Sequence, residues 1–416
     1  MTSRRNFIKK SALATVGGMM IPNFLKAFEI QNLGAIQTSE KVLVIIQLSG
    51  GNDGLNTVVP YRNDIYYKSR PSIAIPSEKV LKLNDDLGLN PAMESLRSLY
   101  DNGLVSVINN VGYPNPDRSH FRSMDIWQTA SESTEYLNTG WIGRYLDANC
   151  AGGSCLPYRA LEIDDTLSLS MKGEKLKALA VQDPEKLYKQ VSGDFMSKIA
   201  KNTSVNEHDN VAYLYKTLAE TASSAEFLYT KRVAAQRVAT QRDAVQSKIY
   251  KSNSQYPQGE LGQRLKTISE LIVSGMPTSV YYVSISGFDT HFNQLNQQER
   301  LLKNYADSVN VFVNDLKKNN RLNDVAIMTF SEFGRRVKQN ASGGTDHGTA
   351  NNIFLIAEKL NRPKVLNEAP NLTDLDEGDL KFSVDFRQIY TTLLQDWLKI
   401  NDKTILGKTF QSLNLL

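Results

Sequence analysis

Three apolar runs in this 416-residue chain end in the same way, and that shared design limits the fold more than any other feature. Lys41 to Leu48 leads into Ser49-Gly50-Gly51-Asn52-Asp53, and Ser279 to Ile285 leads into Ser286-Gly287-Phe288-Asp289-Thr290-His291. Val325 to Phe330 leads into Ser331-Glu332-Phe333-Gly334-Arg335-Arg336 and then Gly343-Gly344-Thr345-Asp346-His347-Gly348. Each run is too short for a helix and is rich in β-branched and aromatic residues, which reads as a buried strand. Open parallel sheets bind ligands at the carboxyl ends of their strands, where these polar loops begin. Glycine lets the backbone bend closely around a bound group, while Asp and His offer a hard oxygen and an imidazole nitrogen to a metal. One Asp-x-His alone reads as a turn; three such loops at one sheet edge read as a site.

The intervening segments supply helices. Asn90 to Tyr100, with Pro91 in its first turn and Met93, Leu96 and Leu99 on one face, reads as a helix before a further strand at Leu104 to Asn110. Leu261–Val273 and Asn296–Lys318 read as helices leading into the second and third site strands, and Asp385–Leu398 as an amphipathic helix packed on the sheet. Strand and helix alternation predicts parallel connections with right-handed crossovers, in one α/β domain over residues 40–416. Residues 183–263 differ. They are long, charged and alanine-rich, including Asp209–Tyr229 and Lys231–Lys251, and read as a helical insertion over the rim of the site, with His208 at its surface.

The N-terminus, Met1-Thr2-Ser3-Arg4-Arg5-Asn6-Phe7-Ile8-Lys9-Lys10 followed by a short apolar region, has the pattern of a twin-arginine export signal over residues 1–30. Ser11 to Pro22 contains two glycines and is shorter than the roughly 20 apolar residues of a membrane span. The expected partner is the twin-arginine translocation machinery and the expected location periplasmic or extracellular. Removing residues 1–30 takes five basic and one acidic residue from totals of 48 and 44, leaving 43 of each. A neutral mature protein has no electrostatic footprint for nucleic acid, and no other run is long enough to span a membrane.

Cys150 and Cys155, separated by Ala-Gly-Gly-Ser, can close a small disulfide ring in an exported protein; two thiols without a nearby His make a poor zinc site. Gly112 to Phe121 is a Pro-rich loop opening a helix at Arg122 to Thr129. Asp117 or Ser119 can cap that helix, and the free first-turn amides equally suit a tetrahedral oxyanion. Arg118 and His120 beside Ser119 keep the second reading open, since guanidinium forks hold oxyanions and imidazole ligates metals or moves protons.

Leu48-Ser49-Gly50-Gly51-Asn52-Asp53-Gly54-Leu55-Asn56, Ser119-His120-Phe121 with Met124-Asp125-Ile126-Trp127, Gly287-Phe288-Asp289-Thr290-His291, Ser331-Glu332-Phe333-Gly334-Arg335-Arg336 and Gly344-Thr345-Asp346-His347-Gly348 resemble the bacterial family catalogued as domain of unknown function 1501. That family is similar in turn to the alkaline phosphatase and sulfatase superfamily. The resemblance implies a doubly wound, mostly parallel sheet with divalent metal at its strand ends. It further implies Asp53, Asp346 and His347 as ligands of one ion and Asp289 with His291 as ligands of another. The superfamily adds a further late histidine, and this chain has none after His347; His120 or Glu332 would fill that place, or the second ion is lost. Ser119 stands where the superfamily's nucleophile opens a helix, although the usual surrounding motif is missing.

The chemistry implied is metal-assisted hydrolysis of a small anionic phosphate or sulfate ester. One or two ions of zinc, manganese or calcium would serve it, with Ser119 as nucleophile and Arg118 and Arg335 on the nonbridging oxygens. Two other classes share the same residues: a metal-containing binding protein with a degenerate site, and an accessory factor that uses the helical insertion as its interface.

Overall fold

The structure is a computed structural model that describes residues 41–149, 157–191, 221, 224–228 and 250–416. The expected export signal, Cys150 and Cys155, and most of the expected insertion lie outside the described residues. The chain divides into a larger unit, residues 40–180 and 250–416, and a smaller one, residues 1–39 and 181–249. The larger unit carries the sheet; the smaller contributes the helix Pro184–Val191. None of the described helices is long and apolar enough to cross a membrane.

Nine strands form the central sheet: β1 (Val42–Leu48), β2 (Val105–Gly112), β3 (Ala160–Glu162), β4 (Leu179–Ala180), β5 (Val280–Ile285), β6 (Val325–Phe330), β7 (Asn351–Ala357), β8 (Lys364–Val365) and β9 (Val384–Asp385). Their order is β8-β2-β7-β6-β1-β5-β3-β4, with β9 also paired to β2. β1 lies at the centre between β5 and β6 and parallel to both, so the three loops read from the sequence leave the sheet side by side at one edge. Every residue of β1 and β6 is buried, as continuous apolar strands covered on both faces require.

One strand runs the other way. β7 is antiparallel to both β2 and β6, so the sheet is mostly parallel, as expected, with this one reversed strand inside it. No helix separates β6 from β7, so the chain returns beside its own strand by a loop and needs no crossover. That loop, residues 331–350, carries Arg335, Asp346 and His347.

The described helices include α1 (Glu94–Asp101), α2 (His120–Thr129), α3 (Glu260–Val273), α4 (Gln294–Lys318) and α5 (Phe386–Thr392). Aromatic packing fixes α2: the Trp127 ring stacks on Phe330 of β6 at 4.9 Å and on Phe386 of α5 at 4.3 Å, and the Tyr390 hydroxyl donates to the Trp127 carbonyl at 2.9 Å. His120, at the other end of α2, is thereby set over the carboxyl edge of β6. On α4, the Tyr305 hydroxyl donates to Thr329 of β6 at 2.9 Å. Asp385 and Gln388 form a capping box that starts α5, and a π-turn over Leu393–Trp397 continues it.

Away from the site edge, Glu162 of β3 is 4 % exposed and accepts only the Ser168 amide, at 2.7 Å, among the hydrogen bonds seen. Burial raises its carboxyl from 4.5 to about 7. The folded protein then holds a proton that the unfolded chain releases, so this stabilisation is complete below about pH 4.5 and is lost as pH rises through 7. At roughly 1.4 kcal/mol per unit, the loss is on the order of 3 kcal/mol. Glu162→Gln, which cannot ionise, is expected to gain about that much over the parent between pH 4 and 8. Urea unfolding of both proteins across that range measures it, and parallel curves would rule out a neutral buried Glu162.

Candidate metal centre

The three strand-end loops are tied together by one buried side chain. Arg335, 1 % exposed, donates to the carbonyls of Gly50 and Gly51 at 2.5 Å each, of Thr345 at 2.8 Å and of Phe288 at 3.1 Å, and to Asp289 Oδ1 at 2.7 Å. Gly50 makes this possible: its φ is +116°, and a Cβ there would stand 2.5 Å from the Asp289 amide. Sequence reasoning placed Arg335 on substrate oxygens. The structure places its guanidinium among loop carbonyls and against Asp289.

Asp53 is likewise reassigned. Its carboxylate, 1 % exposed, accepts from Arg70 Nη1 at 2.5 Å, from Gln294 Nε2 at 2.5 Å and from the Leu55 amide at 3.2 Å, the last as the cap of the short helix Gly54–Thr57. The sequence reads Asp53 as a metal ligand with Asp346 and His347; the structure gives its carboxylate these three donors and places it outside the group of His120, Asp289 and His347. Gln298, one turn beyond Gln294, adds a donor to the Asp53 carbonyl at 2.9 Å. Arg70, Gln294 and Gln298 are residues of the site's framework that sequence reading missed; the only signal was two glutamines four apart at the start of a helix.

Asp289 Oδ1 is the meeting point of the site. His291 Nε2 lies 3.1 Å from it, His347 Nε2 3.3 Å and His120 Nε2 3.5 Å, while His291 Nε2 and His347 Nε2 are 3.0 Å apart. The other ring nitrogens are already engaged. His347 Nδ1 donates to the Arg118 carbonyl at 2.8 Å, His120 Nδ1 to Glu332 Oε1 at 2.9 Å and His291 Nδ1 to Asp346 Oδ1 at 3.2 Å. A carbonyl or an ionised carboxylate oxygen can only accept, so each Nδ1 is the donor of its pair and each ring turns its Nε2 inward.

Three imidazole Nε2 atoms and a carboxylate oxygen thus converge on one point, a set that can share protons or hold a cation. His120 Nε2 is buried with no hydrogen-bond partner. Ligands held tetrahedrally at the roughly 2.0–2.1 Å of zinc–nitrogen bonds lie about 3.3 Å apart; the distances to Asp289 Oδ1 are 3.1 to 3.5 Å, while the ligand atoms of His120, Asp289 and His347 spread over as much as 4.8 Å. His120, Asp289 and His347 form a group able to hold a metal ion, with His291 beside it.

Electrostatics favour the same use. Burial of Asp289 works against its charge, but the hydrogen bond and positive charge of Arg335 outweigh it and hold the carboxyl at about 2. Burial and the charge of Arg335 lower His347, which favours its neutral form, whereas the hydrogen bond that His120 donates to Glu332 raises His120. Asp346 is lowered by its hydrogen bonds from Asn340 and His291.

Glu332 and Asp346, read from the sequence as metal ligands, stand one layer further out. Glu332 also takes the Gly50 amide at 2.8 Å. Both orient imidazoles, and carboxylates in that position fix the ring and raise its basicity. Ser119 precedes α2 as expected and is exposed, but its hydroxyl makes no cap bond; Asp117 accepts the Ser119 amide at 2.7 Å instead. Arg118, read from the sequence as a contact to nonbridging oxygens, donates from Nε to the buried Asp379 at 2.6 Å. Phe121 and Phe292, each directly after a site histidine, are 86 % and 63 % exposed.

Sheet order and site together define an α/β protein with a histidine-rich centre at its central strand ends. The chain belongs to the family described as Protein of unknown function (DUF1501), which matches residues 40–357. No curated protein matches it. Among solved structures it is similar to a sulfatase from Pseudoalteromonas sp. (11 % identity, 95 % of this chain and 75 % of that one, TM-score 0.40). It is also similar to the lipoteichoic acid synthase of Listeria monocytogenes (10 %, 91 % and 76 %, 0.39) and to a phosphonate monoester hydrolase from Silicibacter pomeroyi (9 %, 89 % and 77 %, 0.36).

Proposed function

We propose that the protein is an exported, metal-dependent hydrolase of phosphate or sulfate esters, with one divalent cation held by His120, Asp289, His291 and His347. The convergence of three imidazole Nε2 atoms on Asp289 Oδ1 carries the reading. A nitrogen-rich set of this kind suits zinc and disfavours calcium, which takes oxygen ligands. When bound, such a cation supplies Lewis acidity toward an ester oxygen and activates water.

The chain's own residues contribute the rest. Ser119 lies in sequence between Arg118, whose carbonyl holds His347, and His120, and it is exposed, which supports its hydroxyl as the nucleophile of this reading. Attack by Ser119 Oγ would form a bond to phosphorus or sulfur, break the bond to the leaving alcohol and pass the hydroxyl proton to it. Water then hydrolyses the seryl ester and restores Ser119.

Metal analysis followed by a panel of phosphate mono- and diesters and sulfate esters tests this. Zinc-loaded protein is expected to turn over at least one ester; Ser119→Ala should keep its metal and lose any covalent intermediate. His120→Ala should lose metal and activity together. Export is tested separately: Arg4→Lys with Arg5→Lys should leave full-length protein inside the cell, and unimpaired secretion would refute it.

A second reading, a non-catalytic metal-binding protein, draws on one observation. Both candidate oxyanion arginines are internally engaged, Arg335 by the loop carbonyls and Arg118 by Asp379. Metal-replete protein that hydrolyses no member of the panel would establish that reading in place of the first.

A further inference from the structure

Each inward-facing imidazole rests its Nδ1 on an acceptor, and two of the three acceptors are carboxylates that are themselves held. Besides His120, Glu332 accepts the Gly50 amide at 2.8 Å; besides His291, Asp346 accepts Asn340 Nδ2 at 3.2 Å. His347 alone leans on a main-chain carbonyl, that of Arg118. A carbonyl points only where its planar peptide points, so this ring is fixed no better than the loop at residue 118.

That loop is tied from a distance. Leu375–Asp376 and Asp379–Leu380 pair as a hairpin whose turn residues, Glu377 and Gly378, have φ of 51° and 90°, as a tight turn matched to strand twist requires. Asp379, 0 % exposed, accepts Arg118 Nε at 2.6 Å and also its Nη2, while Arg336 Nε stands 3.7 Å from the other carboxylate oxygen. Both arginines are bound through their backbones to the Asp346-His347 pair: the Arg118 carbonyl takes His347 Nδ1, and the Arg336 amide donates to the Asp346 carbonyl at 3.0 Å. Thr349 Oγ1 adds a bond to the Leu380 carbonyl at 2.5 Å. Stability alone does not account for this clasp. Arg118 and Arg336 are partly exposed, and water would serve them. Asp379 is instead withdrawn from water with its Oδ1 lacking a hydrogen-bond partner, and burial raises its carboxyl above the ordinary value against both positive charges. A buried ion pair with an unmet oxygen stabilises little; what it supplies is a fixed arrangement.

We propose that Asp379 is a positioning residue of the metal centre: by clasping Arg118 it fixes the peptide whose carbonyl orients the His347 ring. The proposal rests on the metal-centre reading for its zinc measurement, whereas the state of the ring is read without metal. The chain has four histidines, so full-length protein labelled with nitrogen-15 in its imidazoles gives few ring signals. In metal-free parent protein at mildly alkaline pH, His347 should hold its proton on Nδ1. Asp379→Asn and Arg118→Gln should each let that ring mix its two tautomers, while the His120 and His291 signals stay as in the parent. Zinc affinity, measured by chelator competition, should fall about tenfold in both variants. Asp379→Glu, which keeps the charge, should recover part of it. Arg118 is the partly exposed partner, so Arg118→Gln keeps the test open if the Asp379 variants fail to fold.

Unfolding midpoints separate orientation from general loosening. A role in the fold alone would lower the midpoint and disturb all three rings together, and that result would overturn the proposal. An unchanged His347 signal with parental zinc affinity in both Asp379→Asn and Arg118→Gln would overturn it as well. A His347 ring that loosens in both variants of a parent that binds no zinc would sustain the positioning role and remove the metal reading.

Discussion

Asp53→Ala is expected to lower the unfolding free energy by about 3–5 kcal/mol while leaving the folded fraction with a full complement of metal. The change removes one half of a buried ion pair and leaves the Arg70 guanidinium, with Asn56 Oδ1 at 2.8 Å and two carbonyls, but without its counter-charge. It also strips Gln294 of its acceptor and the Gly54–Thr57 helix of its cap. Denaturant titration reports the first quantity and elemental analysis of gel-filtered protein the second. Loss of metal at unchanged stability would restore the ligand role that Asp53 was expected to have from its place after β1.

A graded series separates ligands from the groups that orient them. Glu332→Gln and Asp346→Asn are expected to weaken metal binding by about 10- to 100-fold, the usual effect of losing a hydrogen-bond partner behind a ligating imidazole. Asp289→Asn should exceed that range, since it neutralises the only carboxylate oxygen that the three Nε2 atoms share. Competition against a chromophoric chelator gives the three constants on one scale. If Asp346→Asn proved the most damaging, Asp346 would be a direct ligand and His291 the outer group.

The sheet centre was legible because a strand buried on both faces has to be apolar at nearly every position, and β1 and β6 carry that mark from end to end. β7 was not. Two of its seven residues are asparagines, and it follows a glycine-rich loop with no helix before it. The asparagines are there because the strand begins at the site: Asn351 Nδ2 donates to the Asn52 and Phe333 carbonyls at 2.9 and 2.8 Å. Within the site, the residue types were legible but their division of labour was not. Asp53, Asp289, Glu332 and Asp346 are alike in a sequence; one meets an arginine, one the three imidazoles and two a single imidazole each. Those assignments depend on partners as distant as Gln294, which stands 241 positions from Asp53. The orienting role of the Arg118 carbonyl has no signature at all, since every residue has one.

The reach of Arg335 also sets a timetable. Its contact with the Gly50 carbonyl joins positions 285 apart, and the loops it gathers extend from residue 50 to residue 345. No fragment of the chain contains a small version of this centre. A nascent polypeptide that ends before His347 has at most two of the three inward-facing imidazoles, and a sheet still lacking β6 cannot hold them together. Contacts of such high sequence separation close late and slowly, after the entropy of the long intervening chain has been overcome. Cation capture therefore belongs to the finished domain, after synthesis, and ribosome-bound chains stalled before residue 347 should bind zinc no better than unfolded ones.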